Sequence, residues 1–258
     1  MVREVIMLKT KVFFLVVCIC FIPVYIFSIG LIDDYGVMIS ASAGIMSPLY
    51  PKMFYNELGY SPEWQENIYA TNLNLELQYN RFFVTESVLF ASRSAYEKHE
   101  DYYDEYIYQS YTVFDNSLTF EYAFLKSSSY ALSAIGGIEI TRHDFNTLFV
   151  ADYYQSDLEY RPVGIAFTGG AGLRFSLPYT GIRTQFKFVK YDYSINDIVS
   201  VWEARLPLTI MIGKETFGGL VELTPVMVHA SKSEDIEEEV SGNKFGLNVM
   251  SGAYLMLP

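Results

Sequence analysis

Cysteine is nearly absent from this chain of 258 residues: Cys18 and Cys20 are the only two, and both sit in the apolar N-terminal stretch. The remainder therefore has no disulfide framework, thiolate metal cluster or cysteine nucleophile. Histidine is almost as scarce, with His99, His143 and His229 the full complement, so imidazole chemistry is confined to three positions. Positive charge is in short supply: 18 Lys and Arg face 30 Asp and Glu, for a net charge of −12. Nucleic-acid binding needs concentrated Lys and Arg, which excludes that class of partner. Beyond the N-terminus no apolar run reaches the roughly 20 residues that a membrane helix requires.

The N-terminus reads as a secretory signal. Lys9 and Lys11 supply the positive region, residues 12–27 the apolar core, and Ser28-Ile29-Gly30 the small residues that a signal peptidase needs. Residues 1–30 are thus expected to be removed, leaving 31–258 as one domain, with Met7 as an alternative start. A lipoprotein signal ending at Cys18 is disfavoured by the bulky Val17 before it.

What the chain has in abundance is tyrosine and phenylalanine, 22 and 19 residues, and apolar–polar alternation. Leu73, Leu75, Leu77 and Tyr79 alternate with Asn72, Asn74, Glu76 and Gln78. Trp202, Ala204, Leu206, Leu208, Ile210 and Ile212 oppose Glu203, Arg205 and Thr209, and Phe114, Leu118, Phe120, Tyr122 and Phe124 oppose Asp115, Ser117, Thr119 and Glu121. Period-two alternation is the mark of strands with one polar face. About ten strands follow, near 35–46, 68–79, 82–94, 107–125, 130–141, 162–175, 181–191, 200–212, 217–229 and 244–257, with eight as the alternative. The third is ambiguous, because Glu86 shares a face with Val84, Val88 and Phe90. Most are about ten residues or longer, which suits tilted transmembrane strands better than soluble ones.

Connections alternate between long (47–67, 95–106, 142–161, 230–243) and short (80–81, 126–129, 176–180, 213–216), with 192–199 intermediate. Aromatics gather at strand ends: Tyr79, Tyr122, Phe124, Tyr130, Phe175, Tyr179 and Phe217 by the short turns, and Tyr69, Tyr96, Tyr106, Tyr108, Tyr191, Tyr193, Trp202 and Phe245 by the long loops. Their rings suit the two headgroup zones of a bilayer. With this rhythm and these girdles, residues 35–258 resemble the small bacterial outer-membrane β-barrels. The resemblance implies an antiparallel up-and-down transmembrane barrel, with outer-membrane lipid and the barrel-assembly machinery as partners. One departure is the last strand, where such barrels commonly close on an aromatic and this sequence reads GAYLMLP.

If the apolar face meets lipid, Glu76, Glu121, Glu139, Glu203 and Glu222 fill the lumen with Arg174, Arg183, Lys187 and Arg205. Nearly balanced charges can pair across a narrow interior, and about ten strands leave little further room. A plugged or very narrow lumen is expected, with a small-solute channel lined by Arg174, Arg183 and Lys187 as the alternative.

Candidates for catalysis are few. His143-Asp144 is similar to the acid–imidazole pairing of omptin proteases, but adjacent strand residues point to opposite faces. His229-Ala230-Ser231 places imidazole and hydroxyl on one strand face and resembles the His-x-Ser element of lipid A deacylases. That likeness implies base and nucleophile roles, although Lys232 follows where those enzymes have Asn. Pro207 and Pro225 interrupt adjoining strands and should mark bulges, or a lateral opening like that of outer-membrane acyltransferases. The acidic stretches 97–106 and 233–239 are expected to be solvated outer loops able to meet an extracellular ligand; neither has the spacing of a calcium loop. No metal or cofactor motif is legible.

Overall fold

A computed structural model describes residues 35–49, 67–99, 105–151, 154–161, 163–177, 179–193, 198–214, 216–232 and 242–257. The expected signal peptide, most of the 47–67 connection and the 233–239 acidic stretch lie outside these residues. β1 (Tyr35–Met46) pairs with β2 (Ile68–Tyr79), and the sheet continues through β3 (Phe82–His99), β4 (Glu105–Lys126) and β5 (Tyr130–Ala151). β6 (Tyr154–Tyr160) folds back on β5, while β7 (Val163–Leu177) takes the next place in the wall, followed by β8 (Thr180–Tyr193). β9 (Ile198–Arg205) and β10 (Leu208–Gly213) share one place between β8 and β11 (Phe217–Lys232). β12 (Gly242–Leu257) pairs with both β11 and β1, which closes the ring. Ten antiparallel positions in sequence order make this an up-and-down barrel, and every edge of the wall is paired.

The outside of the wall is apolar. Leu73, Leu75, Leu77, Phe114, Phe120, Ile138, Ile140, Ile165, Phe167, Phe186, Phe188, Ile212 and Val221 all stand exposed on it. At its lower edge, beside the short turns, Tyr35 meets Tyr79 edge-on at 5.3 Å and Phe82 meets Tyr122 at 5.1 Å. Tyr69, Tyr108 and Phe245 are exposed at the upper edge. From Tyr79 to Tyr69 is about 33 Å along the strand, or roughly 25 Å of depth at the usual tilt, the height of a lipid-facing band. A wall that shows bulky apolar side chains outward and carboxylates inward is a transmembrane barrel.

The outer connections 95–106 and 142–161, expected as loops, are mainly strand. β3 runs on to His99, β4 begins at Glu105, and β5 with β6 forms a hairpin that rises past the band. The reason lies in what surrounds the strand. Within the band, Ile138 and Ile140 of β5 face out and Glu139 faces in; above it, Arg142 and Asp144 face out while His143 and Phe145 are buried. β8 behaves alike, with Phe186 and Phe188 outside, then Val189 and Tyr191 buried inside. Once the outer surface meets water instead of lipid, the apolar phase moves to the lumen. Tyr191 is accordingly a buried lumen residue and not part of the outer girdle.

Apolar side chains gather in the lumen toward both ends. Toward the short turns, Met38, Phe83, Ala123, Ala131, Met211, Leu220, Tyr254 and Met256 pack together. Toward the long hairpins, Leu49, Ile68, Tyr111, Val113, Phe145, Val189, Tyr191, Val201, Val226 and Val228 belong to a second cluster. Leu49 enters it because the chain turns inward after β1, held by Ser47 through the carbonyl and amide of Leu247 at 3.0 and 2.8 Å.

Candidate functional site in the barrel lumen

Between the apolar ends lies a layer of charge. β7 carries Arg174 inward at a position with no solvent exposure. Its Nη1 and Nη2 donate to the two oxygens of Glu76 on β2 at 2.6 and 3.0 Å, and its Nε and Nη2 to those of Glu121 on β4 at 2.9 and 2.6 Å. All five guanidinium N–H groups lie in one plane, so a single arginine can serve two carboxylates in this way. Arg183 on β8 adds a contact to Glu76 at 2.8 Å, and Gln78 and Thr85 donate to the same carboxylate at 3.1 Å each. Glu121 also accepts from Ser133 at 2.6 Å and Gln185 at 3.2 Å. The Arg174 guanidinium stacks 3.9 Å above the Phe83 ring, which joins the network to the lower apolar cluster.

Gly172 makes this approach possible. A Cβ there would come within 2.7 Å of Ser133 Oγ and 3.1 Å of Glu121 Oε1.

A second network sits nearer the hairpins. Arg205 on β9 donates to Glu139 at 2.7 and 3.0 Å and to Glu203 at 2.5 Å, and the Tyr191 hydroxyl contacts both Glu139 and Arg205. Above it His143 is buried, with Nδ1 2.8 Å from the Tyr111 hydroxyl and its ring stacked near Tyr111 and Phe145. Between the two networks is a chamber of about 160 Å³, faced by Asp115, Glu139, Arg183, Lys187, Glu203 and Glu222 among others. Glu222 accepts the hydroxyls of Thr224 at 3.4 Å and Thr209 at 3.5 Å. Asp115 Oδ1 and Glu203 Oε1 are buried there without a hydrogen-bond partner among the described residues. Leaving such atoms dry is costly, and a chamber of this size has room for several waters.

The nine charged residues singled out in the sequence thus all face one interior. Their pairing is uneven: Arg174, Arg183 and Arg205 make the close ion pairs with Glu76, Glu121, Glu139 and Glu203, whereas Lys187 and Glu222 face the chamber. Asp115, Tyr191 and His143 belong to the lumen as well, and sequence reasoning did not single them out for it. Asp115 was legible from its phase, since it lies six residues from Glu121 on the same strand face.

The remaining candidates fall elsewhere. His143 points inward, while Asp144 faces out, 2.9 Å from Arg142 and 3.7 Å from Arg161, so the two are not a catalytic pair. His229 lies on the outer surface at the upper end of β11, its Nδ1 2.9 Å from Asn243 Oδ1 across the strand pair. Ser231 follows two positions along the same strand, opposite Ser200; its side chain is outside what the structure describes. At the prolines the pairing shows no bulge, and the wall strand is interrupted between Arg205 of β9 and Leu208 of β10. Two residues separate Arg205 from Leu208, and two separate their partners on β8 and on β11, so the register is unshifted. The Pro207 carbonyl accepts from Gln185 N and the Pro225 carbonyl from Leu206 N, each at 3.0 Å, which carries the ladder past both rings. Among the described residues no cluster of metal-ligating side chains is present.

No protein-family profile matches this sequence, and no curated protein matches it. Among solved structures, the outer-membrane protease OmpT of Escherichia coli is similar at 9% identity and a TM-score of 0.43, over 89% of this chain and 98% of that one. The attachment invasion locus protein Ail of Yersinia pestis aligns over 86% and 97% at 12% identity and a TM-score of 0.37. A major outer-membrane protein of Thermus thermophilus aligns over 87% and 100% at 11% identity and a TM-score of 0.39. These are likenesses of general architecture; the barrel assignment rests on the strand register and on the inward and outward faces described above.

Proposed function

We propose that this chain is an exported bacterial outer-membrane barrel with a sealed lumen, acting as a structural or surface-interaction protein through its outer hairpins and loops. The observation that supports the reading most is the position of Arg174. It joins carboxylates from two other strands in the middle of the barrel, between apolar clusters that lie toward both ends. A permeation path would have to break those ion pairs and displace both clusters. Ordinary porins need 16–18 strands for an aqueous channel, and this wall has ten positions. The acidic composition of the outer stretches suits contact with a basic partner surface.

The test is solute flux. Proteoliposomes containing the full chain should swell no faster in arabinose or glucose than protein-free vesicles. Swelling at porin-like rates would overturn the sealed-lumen reading.

A second reading, a narrow channel, draws on the chamber of about 160 Å³ and its Lys187, Arg183 and Arg205 lining. It requires an open state in which the Arg174 pairs part, and the same flux assay under an applied voltage would detect it. The lipid-modifying reading centred on His229 and Ser231 draws on their two-residue spacing alone. Phospholipid or lipopolysaccharide hydrolysis abolished by His229→Ala would support it.

A further inference from the structure

Among the described residues, one charged side chain stands well inside the edges of the lipid-facing band. Glu86 of β3 faces outward and exposed, between Val84 and Val88 on its own strand and opposite Leu75 and Leu118 on its neighbours. It lies four residues above Phe82 in the lower girdle, about 13 Å along the strand and roughly 10 Å in depth, which is near the bilayer centre. Among the described residues neither an ion pair nor a hydrogen bond satisfies its carboxylate. An ionisable group at that depth is expensive, and one facing lipid is expected to meet a partner.

A second polar side chain stands beside it. Asn116 of β4 is outward-facing, directly opposite Val88 and so diagonal to Glu86 on the same surface. Phe82, Phe90, Phe114 and Phe120, each about half exposed, stand above and below this pair on the same two strands. The surface between them is lower, since Val84, Val88 and Leu118 are smaller than phenylalanine. A carboxylate acceptor and a carboxamide donor therefore share a shallow, aromatic-rimmed depression in an otherwise apolar belt.

From this juxtaposition we infer that the β3–β4 face is a contact between two copies of this chain, related by a two-fold axis along the membrane normal. In a two-fold contact each residue i meets j of the other copy, and j meets i. Glu86 of one copy then accepts from Asn116 of the other, and the reciprocal bond forms on the far side of the axis. Donor and acceptor are both present on one surface, so the contact is self-complementary. Apolar area cannot drive the association, because lipid is as apolar as the wall; polar pairs and close packing must do so. The rim of phenylalanines would exclude headgroups and water from the two bonds, as the surround of a binding hot spot does. The inference rests on the outer wall meeting lipid.

The experiment is sedimentation equilibrium of the refolded full chain in density-matched micelles, followed by cross-linking in phosphatidylcholine vesicles. The wild type is expected to form a reversible dimer. Glu86→Leu and Asn116→Leu should each weaken it about tenfold, and the double variant little more than either alone, because each bond needs both partners. Heat-shifted gel mobility and circular dichroism should show both variants folded, with Glu86→Leu at least as resistant to urea as the wild type. Starting from a chain lacking Cys18 and Cys20, Val88→Cys should form a disulfide-linked dimer in vesicles, whereas Val221→Cys on the opposite wall should not. A wild type that stays monomeric, a dimer indifferent to Glu86→Leu, or cross-linking through Val221→Cys would each overturn the proposal. Failure of the membrane reading itself would be distinguishable, since the folded chain would then stay soluble and monodisperse without detergent.

Discussion

Arg174 of β7 holds both oxygens of Glu76 of β2, at 2.6 and 3.0 Å, although four steps of a ten-position wall separate their strands. Such a contact spans the lumen instead of running along the wall, and it ties the cross-section of the barrel to one guanidinium. Glu121, two strands from Glu76, shares the same guanidinium. The three side chains act as a crossbar.

Removal of the cation should therefore be severe. Arg174→Ala leaves Glu76 and Glu121 buried with neutral donors, and among the described residues Arg183 is the one cation still paired with either of them. A loss of about 3–5 kcal/mol is expected, as for other buried pairs that lose one member. Urea unfolding in lipid vesicles measures it, and a loss below about 1 kcal/mol would show that water readily replaces the guanidinium.

Glycines on the two faces should respond oppositely. Gly172→Ala would push a methyl to 2.7 Å from Ser133 Oγ and disturb its 2.6 Å bond to Glu121, costing about 1–3 kcal/mol. At Gly136 a Cβ meets nothing within 4 Å, so Gly136→Ala should be neutral or stabilise by about 0.5–1 kcal/mol. The same urea titration compares them directly.

The short turn after β2 places Asn80 at φ 54°, in the left-handed region that asparagine tolerates and β-branched residues avoid. Asn80→Val should cost about 1–2 kcal/mol, and Asn80→Gly close to nothing. Equal effects from the two would mean that the turn rearranges.

Lipid contact predicts a depth-dependent penalty on the outer wall. Val221 is exposed there, so Val221→Arg should cost about 2–4 kcal/mol, whereas arginine in place of the outward Thr112, above the band's centre, should cost less. No difference between the two would argue against a bilayer around this wall.

Much of this architecture was legible in the sequence, because alternation has one meaning while the strand stays in the bilayer. β2 was bounded at Ile68 and Tyr79, and the inward phase of Glu76, Glu121 and Arg174 followed from their apolar neighbours. Legibility failed where the solvent changes. Above the band the apolar set of β5 passes from Ile138 and Ile140 to His143 and Phe145, a reversal that reads in sequence as the end of a strand. Tyr191 was misplaced for the same reason. The prolines illustrate a different limit: Pro207 and Pro225 lack N–H groups, but their carbonyls still accept from Gln185 and Leu206. Which carboxylates one arginine holds is a matter of cross-barrel distance, and sequence spacing carries no such information.

Single-channel recording in planar bilayers tests the proposed sealed lumen most directly. The wild type, inserted from either side, should give no stepwise current across a wide voltage range. Steps should emerge only when Arg174→Ala is combined with truncation of Phe83 and Tyr191, which belong to the two apolar ends. Regular conductance steps from the unaltered chain would contradict the account.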